Sequence, residues 1–362
     1  MAKSNLKATE VTNGYTTHEG APAVKEGAEK ELHRTVSCLM LFEDTFYESG
    51  KDIAARVSEL CAKVSIPFLC DLAKKARTDW KLRHAPLFLM VEALKKKGAD
   101  AERNMVGDAI SQVIQRADEL AEILAIYWRE KRHKLPRQLK AGIAKAFPKF
   151  SAYNLAKYNR DGKVKLRDAL FLSHAKPKDS EQGAVWKKLI DGKLESPDTW
   201  EVELSAGKEK GETFARLIKE GKLGYMALLR NLRNMTEANV DRALVSKALI
   251  DGADGSKALP YRFVAAAKFA PAYADVLSDA MEKAVKGEEK LIGRTAIVVD
   301  VSGSMEAELS GKSKMNRIDA AGALAVLLRG ITPECRVFQF GDSCREIPAH
   351  RGLGLIESIH KN

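Results

Sequence analysis

The feature that most constrains this chain is a change of hydrophobic period near residue 290. From about Glu31 to Lys286, apolar residues recur three and four apart, the repeat of one helix face. Past Lys286-Gly287-Glu288-Glu289-Lys290 the pattern becomes a short continuous apolar run ending in Asp300, the signature of a parallel strand buried on both faces. No strand is expected before Arg294. The expected fold is therefore mainly α, a HEAT-like helical-repeat array followed by an α/β, doubly wound segment. Expected helices include Asp52–Ala62, a Pro86-opened segment closed by Gly98, and one long helix over Ala101–Lys131. Leu139–Ala146, Lys165–Leu172, Phe214–Glu220, Tyr225–Met235, Asn239–Ile250 and Pro271–Val285 follow. Beyond Asp300 the pattern predicts a helix over Arg317–Leu328, a strand over Cys335–Phe340 with a Gly341-Asp342 turn, and then a tail.

The strand run reads TAIVVDVSGSM from Thr295 to Met305. At the carboxyl end of a parallel strand, side chains face the ligand crevice of an open α/β sheet. Asp300, Ser302 and Ser304 would offer one carboxylate and two hydroxyls there, oxygens that suit a hard divalent cation such as Mg²⁺. The bland alternative is a strand-to-turn junction whose polar residues cap the next element. The spacing is similar to the first loop of a metal-ion-dependent adhesion site in a von Willebrand factor A domain. That family's later ligands, a threonine and an acidic residue, have no counterpart in the residues after 305.

The chain carries a net charge of +11, and its distribution is uneven. Between Lys131 and Lys178 stand 14 Lys or Arg against two acids, Asp161 and Asp168, so this window holds the entire positive excess. Such a local field points to a polyanion. Phe147, Phe150, Tyr153, Tyr158 and Phe171 are interleaved with the charges. Basic groups neutralise phosphates, and aromatic faces can stack unpaired bases, although aromatics at helical spacing are more often core. An anionic membrane is a poorer partner, because no amphipathic helix with a large apolar face stands out. From this window Lys140, Lys145, Lys157, Arg160, His174 and Lys176 are the candidate RNA-contacting residues. Arg230 and Arg233, opposite the leucines of Leu228-Leu229-Arg230-Asn231-Leu232-Arg233, form a second basic point. His174 is expected at a helix end, where it can interact with the carboxyl-terminal dipole. No Ser/His/Asp or Cys/His arrangement accompanies it, which argues against an enzyme.

No apolar run approaches a membrane-helix length, and the polar first 31 residues lack a signal-peptide core and read as a flexible arm. Five irregularly spaced cysteines fit reduced thiols in a cytoplasmic protein, with Cys38, Cys61 and Cys70 expected as small buried hydrophobes.

Four segments in order carry a wider resemblance: Phe42–Gly50 (FEDTFYESG), the Lys157-Tyr158 segment leading to Leu172–Pro177, Ala227–Met235 (ALLRNLRNM) and Val299–Met305 (VDVSGSM). Together they resemble a TROVE-domain protein, the family of the Ro RNA-binding autoantigen, over roughly 32–362. Beyond the polar arm at 1–31, the resemblance implies a helical-repeat RNA-binding domain at 32–290 and the first part of an A-like domain at 291–362. It implies a ring that admits the 3′ single strand of misfolded RNA, and an outer surface that binds small non-coding Y-like RNA. His174 matches the family's histidine for that RNA, and Lys157 a basic residue of the same surface. The neighbouring family arginine falls on Asp161, with Arg160 one place earlier. An exoribonuclease or other RNA-processing protein is an implied partner. The alternative function is a metal-dependent protein-interaction module acting through the A domain. A nuclease would need clustered carboxylates for two metals, and the basic window has none.

Overall fold

The computed structural model describes residues 26–38, 41, 44, 49–254, 256, 258–286, 289–311 and 313–360, and the backbone of 15–16 and 22–23. It divides into two compact units. The first holds residues 1–42 and 50–195, and the second holds 43–49 and 196–362. The expected arm lies largely outside the described residues. Within it, β1 (Tyr15–Thr16) pairs antiparallel with β2 (Pro22–Ala23), so short strands do precede Arg294. The motif Phe42–Gly50 also lies mostly outside the described residues.

The first unit is a stack of helices: α1 (Ala28–Cys38), α2 (Gly50–Lys63), α3 (Ile66–Thr78), α4 (His84–Lys95), α5 (Asp100–Val113), α6 (Glu119–Tyr127), α7 (Arg137–Ala146), α8 (Ala152–Tyr158), α9 (Leu166–Ser173) and α10 (Ser180–Ile190). α3 packs on α4 and α5, α5 on α7, and α6 and α7 on α9. The α5–α7 pair is close because Gly142 faces Ile110, where any Cβ would lie 2.6 Å from that side chain. α4 starts at His84, two residues before Pro86, and stops at Lys95 because Lys96 is extended, short of Gly98.

The single helix expected over Ala101–Lys131 is instead two, α5 and α6. The backbone N–H groups of Gln115 and Arg116 turn aside to donate to the Glu119 carboxylate, at 2.8 and 3.0 Å. Ile114 and Ala117 in this break are fully buried, so the apolar stripe runs on through it. Cys61 and Cys70 are buried, and burial pushes their thiols up to about 12 and about 11. Cys38 departs from expectation and is exposed, because it falls at the end of α1, beyond the buried Leu32 and Val36.

The second unit contains α11 (Trp200–Ser205), α12 (Lys210–Lys219), α13 (Tyr225–Arg230), α14 (Leu232–Glu237), α15 (Arg242–Asp251), α16 (Pro260–Phe269) and α17 (Ala274–Val285). The segment Tyr225–Met235 is broken at Asn231, a buried residue whose N–H is shared between the Ala227 and Leu228 carbonyls at 3.1 and 3.2 Å. Next come β3 (Arg294–Asp300), α18 (Arg317–Ile331), β4 (Glu334–Phe340), β5 (Cys344–Ile347) and α19 (Leu353–His360). β3 and β4 are parallel and joined through α18, while β5 returns antiparallel, giving the order β3-β4-β5. The expected tail thus supplies a strand and a helix. β3 is covered on one face only: Ile297 and Val299 are buried, whereas Val298 is 55% exposed. α18 packs against β3, and α19 against α18. No helix among the described residues is long and apolar enough to cross a membrane.

Candidate nucleic-acid interface

The basic window spans the loop before α7 and continues to the start of α10, all within the first unit. Its charges have different fates. Lys149 is a capping residue: its ammonium donates to the carbonyls of Ser111 and Ile114 at the end of α5, and burial pushes its pKa down. Lys145 pairs with Asp108 on α5. Lys165 pairs with Asp161 at 2.7 Å, which holds that carboxyl below its usual range. Among the described residues, no carboxylate lies within ion-pair distance of Lys131, Arg132, Lys134, Arg137, Lys140, Lys157, Arg160, Lys163 or Lys176. These remaining charges keep a positive field.

The aromatics divide as well. Phe147 and Phe150 are core, with Phe147 edge-on to Trp186 at 5.4 Å. Tyr153 is 45% and Phe171 56% exposed, so these two rings are open to a partner. Tyr158 is half-buried and sits under the Arg116 guanidinium, 4.7 Å from the ring centroid. The Lys157 ammonium stands 5.7 Å from the Tyr153 ring and 5.9 Å from the Tyr158 ring. The end of α8 therefore gathers two cations and two rings. Arg116 was not a sequence candidate. It comes from the α5–α6 break, 42 residues from Tyr158, and no local spacing reveals that meeting.

A rigid network lies behind Arg116. Its guanidinium donates to Asp118 at 2.8 Å, and Arg83 bridges Asp118 and Glu122 at 2.7 and 2.8 Å. Glu119, fully buried, takes both oxygens' bonds from Arg77 at 2.7 and 2.9 Å besides the two backbone donors. Burial pushes the Glu119 carboxyl up and the Arg77 guanidinium down, and their mutual attraction opposes both shifts. With three donor groups converging on it, we regard Glu119 as ionised.

His174 ends α9 as expected, in the left-handed conformation with φ of +56°. Its ring is exposed, as are Arg160 and Lys176. The buried Ser173 hydroxyl beside it donates to the Leu170 carbonyl at 3.1 Å and closes the last turn. A β-carbon in this conformation is strained by about 1 kcal/mol, so helix geometry alone would favour glycine here.

Arg230 and Arg233 lie in the second unit and are exposed, with Leu228, Leu229 and Leu232 buried behind them. Arg233 is 3.5 Å from Glu237, one turn on. Asp300 ends β3, and its Oδ1 accepts from the Ser302 N–H at 2.9 Å, which lowers its pKa. The Ser302 and Ser304 hydroxyls are 3.4 Å apart. Three oxygen-bearing side chains thus meet at the carboxyl end of a parallel strand. Among the described residues no group of three or more His, Cys, Asp or Glu side chains could hold a metal ion. Any cation would rest on one carboxylate and these hydroxyls.

The architecture defines the class as a mainly helical protein with a small α/β segment at its carboxyl end. Residues 190–280 match the family model of the TROVE domain. A 48-residue stretch, 13% of this chain, is 46% identical to telomerase protein component 1 of Mus musculus and 44% identical to that of Rattus norvegicus. It spans 2% of the length of those relatives. The crystal structure of the Deinococcus radiodurans RO (RSR) protein is similar in fold, with a TM-score of 0.61 at 20% identity. The match covers 92% of this chain and 80% of that one. The chain is thus similar to the TROVE domain over residues 190–280 and to the RO (RSR) protein in fold.

Proposed function

We propose that this protein is an RNA-binding, non-catalytic component of a ribonucleoprotein, and that the first unit's basic region contacts the RNA. The observation that carries the reading is the cluster at the end of α8. There Lys157 and Arg116 stand over Tyr158, Tyr153 is open beside them, and Arg160 follows without a carboxylate partner. Cations beside exposed rings suit a single-stranded nucleic acid, whose phosphates and base faces they can engage together. Lys140, Lys145 and Lys176 extend the phosphate-binding charge, with Lys145 drawn off Asp108 on binding. His174 presents a donor to a small non-coding, Y-like RNA. Arg230 and Arg233 would contact the 3′ single strand of a misfolded RNA within a ring. An RNA-processing protein such as an exoribonuclease would be a partner in RNA quality control, and the location would be cytoplasmic. The proposed division is an arm at 1–31, the RNA-binding helical domain at 32–290 and an A-like segment at 291–362.

The reading is tested with a duplex carrying a 3′ single-stranded tail. Lys157→Glu/Arg160→Glu should bind it at least tenfold more weakly than wild type at ~0.1 M salt, since each reversed charge removes and then opposes a phosphate contact. Unchanged affinity would remove this region from the interface.

A second reading has its own support. Asp300, Ser302 and Ser304 fit the first part of an oxygen ligand set for Mg²⁺. With a metal bound, this loop would present a Lewis-acidic centre to an acidic side chain of a protein partner. Asp300 would supply the charge, and the two hydroxyls would orient the ion.

A further inference from the structure

A cleft of about 710 Å³ opens in the second unit, among the ends of α17 and α18 and the loop between β5 and α19. Among the described residues five cationic side chains line it, Lys283, Lys286, Lys290, Arg329 and Arg351, against two acids, Asp254 and Glu282. It is distinct from the first unit's basic region, which belongs to another compact body.

Three of the five cations are held in place by backbone carbonyls. Lys283 donates to Ile250 at 3.0 Å, Lys290 to Gly330 at 2.9 Å, and Arg329 Nε to Ala349 at 3.2 Å. The first two bonds satisfy carbonyls in the last turns of α15 and α18, the third a carbonyl of the loop between β5 and α19, and all three fix the position of each charge. A carbonyl is neutral, so the net charge remains. Each ammonium keeps two further N–H groups, and Arg329 keeps both Nη groups. Lys286 and Arg351 are exposed, and among the described residues no carboxylate lies within ion-pair distance of any of the five. Elsewhere in the second unit Arg216, Lys222, Arg242 and Arg336 are each paired with a carboxylate. Val285 and Val326 supply an apolar floor.

We propose that this cleft binds a phosphorylated ligand of nucleotide size. The volume lies within the ordinary range of small-molecule sites. Fixed cations around an apolar floor match a phosphate group attached to a base or sugar, and the carbonyl-anchored ammonium groups are preorganised for it. The shared chemistry has two sources, a free nucleotide or the terminal phosphate of an RNA strand, and the probes separate them.

The test uses the full chain and three probes followed by isothermal titration: ADP, a 5′-phosphorylated diuridylate, and the same diuridylate without its 5′ phosphate. Lys286→Glu/Arg351→Glu is the variant, because neither side chain anchors a carbonyl and its fold is checked by circular dichroism. Binding of ADP, or of the phosphorylated dinucleotide over the unphosphorylated one, is expected. It should weaken by about tenfold per reversed charge. ADP binding assigns a free nucleotide, and selective binding of the 5′-phosphorylated dinucleotide assigns a strand end. Absence of binding by every probe at millimolar concentration overturns the proposal. So does binding that the double variant leaves intact, or equal binding of the dinucleotide with and without its phosphate in the absence of ADP binding.

Discussion

Glu119→Gln is the substitution with the largest expected cost, because it changes one atom type in a site that is fully buried. The wild-type carboxylate accepts from the Arg77 Nη2 at both oxygens and from the backbone N–H groups of Gln115 and Arg116. A glutamine of the same shape keeps one acceptor, which the two backbone donors can share. Its amide N–H₂ then faces the Arg77 guanidinium, donor against donor. Arg77 is only 8% exposed, so its charge is left uncompensated in a site that water does not reach. Breaking one partner of such a pair costs about 3 to 5 kcal/mol. The assay is urea denaturation followed by far-ultraviolet circular dichroism, read as a shift of midpoint at constant slope. The double variant Glu119→Gln/Arg77→Met isolates the cause, since it removes the stranded charge and should recover at least half of the loss. The same single variant should loosen Arg116 from Tyr158 and weaken binding of the tailed RNA. A cost below about 1 kcal/mol, or a double variant less stable than the single, would refute the claim that an ionised pair fixes the α5–α6 break.

His174→Gly should raise stability by about 0.5 to 1 kcal/mol, because glycine relieves the left-handed strain, yet it should weaken RNA binding. Equal RNA affinity in thermal-melt-matched samples would assign His174 to the helix end alone. Asp319 is held down to about 2 against burial by His360 at 3.2 Å, Lys268 at 3.0 Å and the Asn316 N–H. A depressed carboxyl stabilises the fold above its unfolded value near 3.8 and loses that contribution as pH falls through about 2. Wild type should therefore lose about 2 kcal/mol more than Asp319→Asn between pH 5 and pH 2, and parallel urea midpoints for the two proteins would disprove it. Gly352→Ala should destabilise the second unit by more than about 2 kcal/mol. Gly352 has φ of +56°, and an added Cβ there would overlap the Ser278 hydroxyl; a melting temperature within a degree of wild type would contradict the packing.

Much of the helical array was legible because burial imposes a period on sequence. α7, α9 and α17 start and stop within a few residues of their expected bounds, and β4 within one. The breaks were less legible. At Ile114–Asp118 the apolar stripe continues although the helix does not, since Ile114 and Ala117 still face the core. Periodicity reports burial, and only Glu119's bonds to the backbone distinguish a turn from a helix there. Asn231 ends α13 by a shared hydrogen bond that has no compositional signal. The charge excess of the window was visible, but its allocation was not. Lys149 caps α5 and Lys145 meets Asp108, contacts 35 to 38 residues apart in sequence. The same non-locality brings Arg116 to Tyr158 and hid it from spacing arguments. Asp300, Ser302 and Ser304 were readable because their geometry is local to one strand end.

The central claim concerns a nucleic acid held by unpaired cations and open rings, and the salt dependence of affinity tests it most directly. We would titrate wild type with the 3′-tailed duplex and the blunt duplex from ~50 to ~200 mM salt. The account predicts tighter binding of the tailed RNA throughout and a steep linear fall of log affinity with log salt, with a slope of several phosphate contacts. Equal affinities for the two RNAs with a shallow slope would contradict it and turn attention to the Asp300 loop and a protein partner.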